Sequence, residues 1–213
     1  MEPNKLYHIY THANAFDNLF NSQENYRYFL QRYQYFIPSV AETLAWCLMP
    51  NHLHLLIKIK SEEEIRKAFP QTSTQTLTFE GVNSRIQNLE GLGPVEKRIS
   101  KQFSNLFNAY TKAYNIRYKR RGTLFIPNFK RKEIIDNSYL TNVICYIHNN
   151  PINHGFVSNL QDWNWSSYHD LSLNNPSLIH TNFVINWFGN VQAFQQAHQK
   201  VNKIPPEERI ENL

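Results

Sequence analysis

The sequence predicts an α+β domain: one antiparallel sheet with helices packed on a face. Three observations carry this. Aromatic and β-branched runs with strand character alternate with segments of helical periodicity. Two of the strands are joined by the turn-forming pair Pro50-Asn51. The regular strand-helix-strand spacing of a parallel sheet is absent.

Taken in order, KLYHIYTHA (5–13) has the composition of a strand. ENYRYFLQRYQYFI (24–37) carries apolar residues at helical spacing and stops before Pro38. ETLAWCLM (42–49) and HLHLLIKIK (52–60) form a hairpin, and EEEIRKAF (62–69) forms a short helix. Residues 70–96 are rich in Ser, Thr, Asn, Gln and Gly with weak periodicity, and are expected to form a loop insertion. A strong amphipathic helix follows over 95–118, then a strand at GTLFIPNF (122–129). Asp136 is placed to cap a helix running through SYLTNVICYIHNN to Pro151. WNWSSYHD (163–170) and a final helix near 190–202 complete the chain.

With 213 residues, 41% of them apolar, the chain can bury a substantial core and is not a disordered segment. The opening MEPNKLYHIYTH lacks the layout of a signal peptide. No apolar run approaches the ~18 residues that span a bilayer, so a cytoplasmic location without membrane association is expected. Two cysteines cannot build a disulfide framework. A net charge of +5 with 12 Tyr, 14 Phe and 4 Trp suits contact with single-stranded nucleic acid, and equally a large core under a slightly basic surface.

Strand alternation puts Leu53, Leu55, Ile57 and Ile59 on one face and His52, His54, Leu56, Lys58 and Lys60 on the other, the wet or ligand-facing side. Two neutral imidazoles aimed the same way can hold one divalent cation. With nine histidines, about three in ten shuffled sequences contain such a pair, so the spacing alone identifies nothing. Further along, Tyr146 and Asn150 lie four apart on one flank of the helical stripe Leu140, Val143, Ile144 and Ile147. From there both can reach over the sheet toward the histidines. Equally, Tyr146 can be a core aromatic and Asn150 a helix terminator, since Pro151 biases Asn150 away from helical geometry. Lys112, Arg117, Lys119, Arg120, Arg121, Lys130, Arg131 and Lys132 are interleaved with Tyr110, Tyr114, Tyr118, Phe125 and Phe129, a pattern suited to DNA backbone neutralisation and base stacking. A solvated helix end over core aromatics gives the same pattern.

Several stretches together resemble the REP-associated tyrosine transposases, single-tyrosine transposases of the HUH superfamily. They are YHIYTHAN (7–14), MPNHLHLLI (49–57), FNAYTKAYN and RGTLF (107–125), YIHNNPINHGFV (146–157) and WSSY (165–168), and the resemblance covers most of residues 5–170. It implies a ferredoxin-like or RRM-like antiparallel sheet with the histidine pair on a central strand. It also implies His52, His54 and Asn150 as ligands of Mg²⁺ or Mn²⁺, and Tyr146 as the nucleophile. The implied activity is cleavage and rejoining of single-stranded DNA beside hairpins or REP-like palindromes through a 5′-phosphotyrosine, by a monomer or homodimer. The expected domains are then 1–170 and a C-terminal helical extension, 171–213. Two other readings stay open: a structural zinc site using Cys47, His54 and Cys145, and a domesticated DNA-hairpin-binding protein that no longer cleaves.

Overall fold

The computed structural model describes residues 1–15, 17–69, 93–173 and 178–200. Its antiparallel sheet contains β1 (Leu6–His12), β2 (Ala41–Leu48), β3 (His52–Ile59) and β4 (Lys130–Glu133), in the order β2-β3-β1-β4. Helix α1 (Gln23–Phe36) links β1 to β2, and β3 inserts between them; this split β-α-β unit is the ferredoxin-like arrangement. Helices α2 (Glu62–Ala68) and α3 (Pro94–Arg117) precede β4. The expected α+β class, with the histidine pair on an interior strand, therefore holds.

Local chemistry explains the boundaries. Ser61 caps α2, accepting the Glu64 N–H while the Glu64 carboxylate accepts the Ser61 N–H. Pro94 opens α3, where its missing N–H costs nothing. The helix thus takes in the last residues of the expected 70–96 loop; residues 70–92 lie outside the described residues. At the hairpin, the Met49 N–H donates to the His52 carbonyl (2.8 Å), leaving Pro50 and Asn51 as the two turn residues. That turn fixes the register, with Cys47 opposite His54 and Leu48 opposite Leu53.

One expected strand is corrected. GTLFIPNF contributes only an isolated bridge, Phe125 to Ala13, and the fourth strand is KRKE. Pro127 cannot donate to a ladder, and Asn128 adopts a left-handed φ of 61°, so the chain turns before it pairs. The strand that forms is charged because it is a short sheet edge facing water.

The two faces are covered differently. Tyr7, Ile9, Leu53, Leu55, Ile57 and Thr43 share the face that carries α1, where the Tyr33 hydroxyl and Thr43 Oγ1 are 2.8 Å apart. Helix α3 packs on α1 through Tyr110 and Phe29 (centroids 5.2 Å apart). The arrangement of helices on one face is extended, because α4 (Asn137–Asn153) crosses the other face over β2 and β3. Behind it lie α5 (Tyr168–Ser172), α6 (Thr181–Phe188) and α7 (Val191–Lys200). The final helix falls where expected; residues 201–213 lie outside the described residues. No helix among the described residues is long and apolar enough to cross a membrane.

Candidate active site

Strand alternation puts His8, Tyr10 and His12 of β1 on the same face as His52 and His54 of β3, because Tyr10 pairs with His54 and His12 with His52. This face is not wet as expected. His8, His52 and His54 are 4%, 3% and 2% exposed, since α4 lies over them. Burial is the largest influence on all three rings. It lowers His8 to about 3 and His52 to about 4, and holds His54 well below its ordinary value. Each is neutral at pH 7, the form that binds cations.

From α4, Tyr146 sets its ring edge-on against His54 (5.4 Å between centroids) and His8 (6.0 Å). One turn later Asn150 Oδ1 lies 3.1 Å from His52 Nε2. The helix does not stop at Pro151; it continues to Asn153, and the His154 N–H donates to the Asn150 carbonyl (3.0 Å). Asn150 therefore keeps the helical geometry that stacks it four residues above Tyr146. The sequence-derived residues His52, His54, Tyr146 and Asn150 thus converge.

The proton positions suit a cation. Neutral His52 has one proton to share between Asn51 Oδ1, 2.8 Å from Nδ1, and Asn150 Oδ1, 3.1 Å from Nε2; placed on Nδ1, it leaves an Nε2 lone pair beside the Asn150 oxygen. Asn150 Nδ2 is buried without a partner. Two facing lone pairs beside an unsatisfied amide form a donor set that a small cation completes. On the other ring, His54 Nδ1 and His8 Nε2 share a proton at 3.0 Å; placed on His54, it leaves a lone pair on His54 Nε2 that can serve as a second ligand. The His52, His54 and Asn150 donors therefore fit a divalent cation.

Other expected groupings fare differently. Cys47 does face His54 across the hairpin, but burial pushes its thiol upward and that of Cys145 up to about 12. Among the described residues no group of three His, Cys, Asp or Glu could hold a metal ion. The interleaved aromatics are core rather than stacking platforms: Tyr110 and Tyr114 are buried, and Phe125 and Phe129 pack on Phe107. The basic residues are split. Arg120 is tied to Asp17, to Asn115 Oδ1 (3.1 Å) and to the Thr123 carbonyl (3.0 Å). Arg117 sits near Glu24 (3.7 Å), and Lys112, Lys119 and Arg121 are exposed around the end of α3. Lys130 and Lys132 of β4 pair with Tyr10 and His8 and share the histidine face, whereas Arg131 alternates to the opposite face.

No family model matches the chain. Over 132 residues it is 30% identical to a Haemophilus influenzae protein assigned by name to the REP-associated tyrosine transposases, a match covering 60% of this chain and 59% of the relative. A solved structure of a REP-associated tyrosine transposase bound to a REP hairpin superposes with a TM-score of 0.54 at 16% identity, covering 83% of this chain and 85% of that one. In sequence and in fold, this chain is similar to REP-associated tyrosine transposases. The matched part is less than two thirds of the Haemophilus relative's length.

Beside that likeness to REP-associated tyrosine transposases, the fold gathers residues that sequence reasoning missed. His12 stacks on His52 (4.9 Å, 23°), and the His154 ring also lies 4.9 Å from that of His52. Tyr10 lies beside both His8 (5.3 Å) and His54 (6.2 Å). The signal was available: His8, Tyr10 and His12 have the same period of two as His52 and His54. A second buried chain braces α4 from behind. The His198 Nδ1–H donates to the Phe194 carbonyl (2.7 Å), which leaves Nε2 to accept the His148 Nδ1–H (2.8 Å). His148 Nε2 then accepts the Ser167 hydroxyl (2.7 Å), whose oxygen accepts the Trp46 N–H (2.9 Å).

Proposed function

We propose that this chain is a REP-associated tyrosine transposase: a metal-dependent endonuclease and strand transferase acting in the cytoplasm on single-stranded DNA beside hairpins. The observation that carries the reading is the placement of Tyr146 against His54 and His8, with Asn150 on His52 one helical turn away.

In this reading Tyr146 Oη attacks a DNA phosphorus in line and releases its proton to water. The P–O3′ bond breaks, the 3′-oxygen leaves with its electron pair and takes a proton from water, and a 5′-phosphotyrosine forms. His52 Nε2, His54 Nε2 and the Asn150 carboxamide would hold the cation, Mg²⁺ or Mn²⁺. When bound, the cation polarises phosphoryl oxygens and offsets developing charge. His8 and Asn51 hold the two ligand rings in the tautomers that present lone pairs. Lys130 and Lys132 neutralise phosphates on the open half of the same face, while Lys112, Arg117, Lys119, Arg121 and Arg131 engage DNA more distantly. Arg120, tied into the loop after α3, orders that basic segment. Because the phosphotyrosine keeps the energy of the broken ester, a 3′-hydroxyl can reverse the attack and rejoin strands.

The unit of residues 1–170 carries this chemistry, and the helical extension from 171 braces α4 through His198. The test is a labelled single-stranded hairpin incubated with Mg²⁺ or Mn²⁺. The wild type is expected to form a denaturation-resistant covalent adduct. Tyr146→Phe should bind the strand and form none. An equal adduct yield from the phenylalanine variant would assign the nucleophile elsewhere, and binding without an adduct in the wild type would favour a non-cleaving hairpin binder.

A further inference from the structure

The histidine face of the sheet has two halves. Helix α4 packs chiefly on β2 and β3, and on that half Ala45 and Leu56 are fully buried. Strand alternation puts Tyr10 of β1 and Lys130 and Lys132 of β4 on the same face. Both lysines are exposed and Tyr10 is half-buried. A packed sheet face is apolar and a solvated one polar. The open half is neither, because a large ring is set beside two like charges.

The register fixes where that ring sits. Tyr10 pairs with His54 on one side and with Lys130 on the other. Its ring is near-parallel to that of His54 (27°, centroids 6.2 Å apart) and tilted against His8 (40°, 5.3 Å). Lys132 lies opposite His8, with its ammonium over the Tyr139 ring (5.2 Å). An aromatic surface therefore stands between the histidine pair and two cations on the sheet edge. An unpaired nucleotide carries the complementary groups, a flat base with a bare face and an anionic phosphate. A duplex offers the phosphates alone, since its bases are already stacked on one another.

We propose that Tyr10 is the stacking platform for one unpaired nucleotide flanking the cleaved bond, with Lys130 and Lys132 holding the adjoining phosphates, so that the strand leaves the histidines across β1 toward the β4 edge. This rests on the reading of the chain as an enzyme that cleaves single-stranded DNA. Every base has a π-face, so Tyr10 sets which bond is presented to Tyr146 without selecting the base. The ring is what matters, and the hydroxyl is dispensable.

The experiment uses the full chain carrying Tyr146→Phe, so that the strand stays intact. The probe is a DNA hairpin with single-stranded flanks, taken from inverted repeats beside the coding sequence, with an abasic site placed at each flank position in turn. Affinity is read by anisotropy. At one position, beside the bond that the wild type cleaves, base removal should weaken binding by roughly tenfold, and exchange of one base for another by less than about twofold. Adding Tyr10→Leu should weaken the intact probe by the same factor and the abasic probe no further. Tyr10→Phe in its place should behave as Tyr10 does. A 5-iodouracil at that position should crosslink to Tyr10 under near-ultraviolet light, with the adduct mapped by mass spectrometry. The crosslink keeps the native tyrosine, so it decides the matter if Tyr10→Leu does not fold. Adding Lys130→Gln should reduce the salt dependence by about one unit of slope on intact and abasic probes alike. Losses from Tyr10→Leu and from base removal that add at every position overturn the stacking, as does a crosslink that maps to another residue at every flank position. A wild type that binds the hairpin without forming an adduct sinks the cleavage reading alone, because the abasic scan and the crosslink need no cleavage.

Discussion

Acid should loosen the C-terminal helix from the helix that bears Tyr146, and the size of the effect can be worked from His198. Its Nδ1 proton is held by the Phe194 carbonyl and its Nε2 accepts from His148, so the buried network has room for one proton on each ring. Burial lowers His198 to about 4, against 6.5 for an ordinary histidine. The sign follows from proton uptake. Between those values the unfolded chain binds a proton that the folded chain refuses, so stability is full above 6.5 and declines as pH falls. For this one group the loss is about 1 kcal/mol at pH 5.5 and about 3 kcal/mol by pH 3.5. A second proton on His198 would also set an N–H against the His148 N–H. The assay is urea unfolding at pH 7.5, 6.5, 5.5 and 4.5, comparing wild type with His198→Gln, whose amide oxygen can still accept from His148. The wild type should lose about 1 kcal/mol more than the variant between pH 7.5 and 5.5. Parallel curves for the two proteins would refute the reasoning and place the acid sensitivity in the histidines beneath α4.

The remaining expectations test separate parts of the fold. His8→Ala should weaken Mn²⁺ binding to the DNA complex by roughly tenfold, whereas His8→Gln, which still offers an acceptor to His54 Nδ1, should retain most of it; calorimetry distinguishes the two. Phe194→Ala, at a fully buried ring packed on His148, Tyr168 and Phe188, should cost about 3–5 kcal/mol in denaturant unfolding. Arg120→Ala should lower stability by about 1–3 kcal/mol through loss of its charged and carbonyl partners. Lys132→Gln, on an exposed edge, should leave stability within about 0.5 kcal/mol. It should also reduce the salt dependence of DNA affinity by about one unit of slope, read from anisotropy across a salt series.

Much of this was legible in the chain because it depends on local periodicity. The alternation of HLHLLIKIK sorts histidines from leucines whatever lies above the sheet, and Pro50-Asn51 fixes the hairpin register from within four residues. The four-residue spacing of Tyr146 and Asn150 likewise survives Pro151, because a proline near a helix end removes one hydrogen bond without unwinding the turn before it. The short edge strand was not legible. KRKE has no apolar alternation, since an edge strand facing water is stabilised by its backbone ladder with β1 rather than by its side chains.

By itself, then, the sequence determined the element types, the face on which His52 and His54 lie, and the helical pairing of Tyr146 with Asn150, all consequences of the 2.0 and 3.6 periods of the backbone. Only the tertiary structure decided that α4 covers that face and buries the histidines. It alone joined His8 to His54 and His198 to His148, and of an apparently continuous basic stretch it put Lys130 and Lys132 on the histidine face and Arg131 on the opposite one. Those outcomes depend on contacts between residues 46 to 98 positions apart and on the order in which strands pair, which no local pattern encodes.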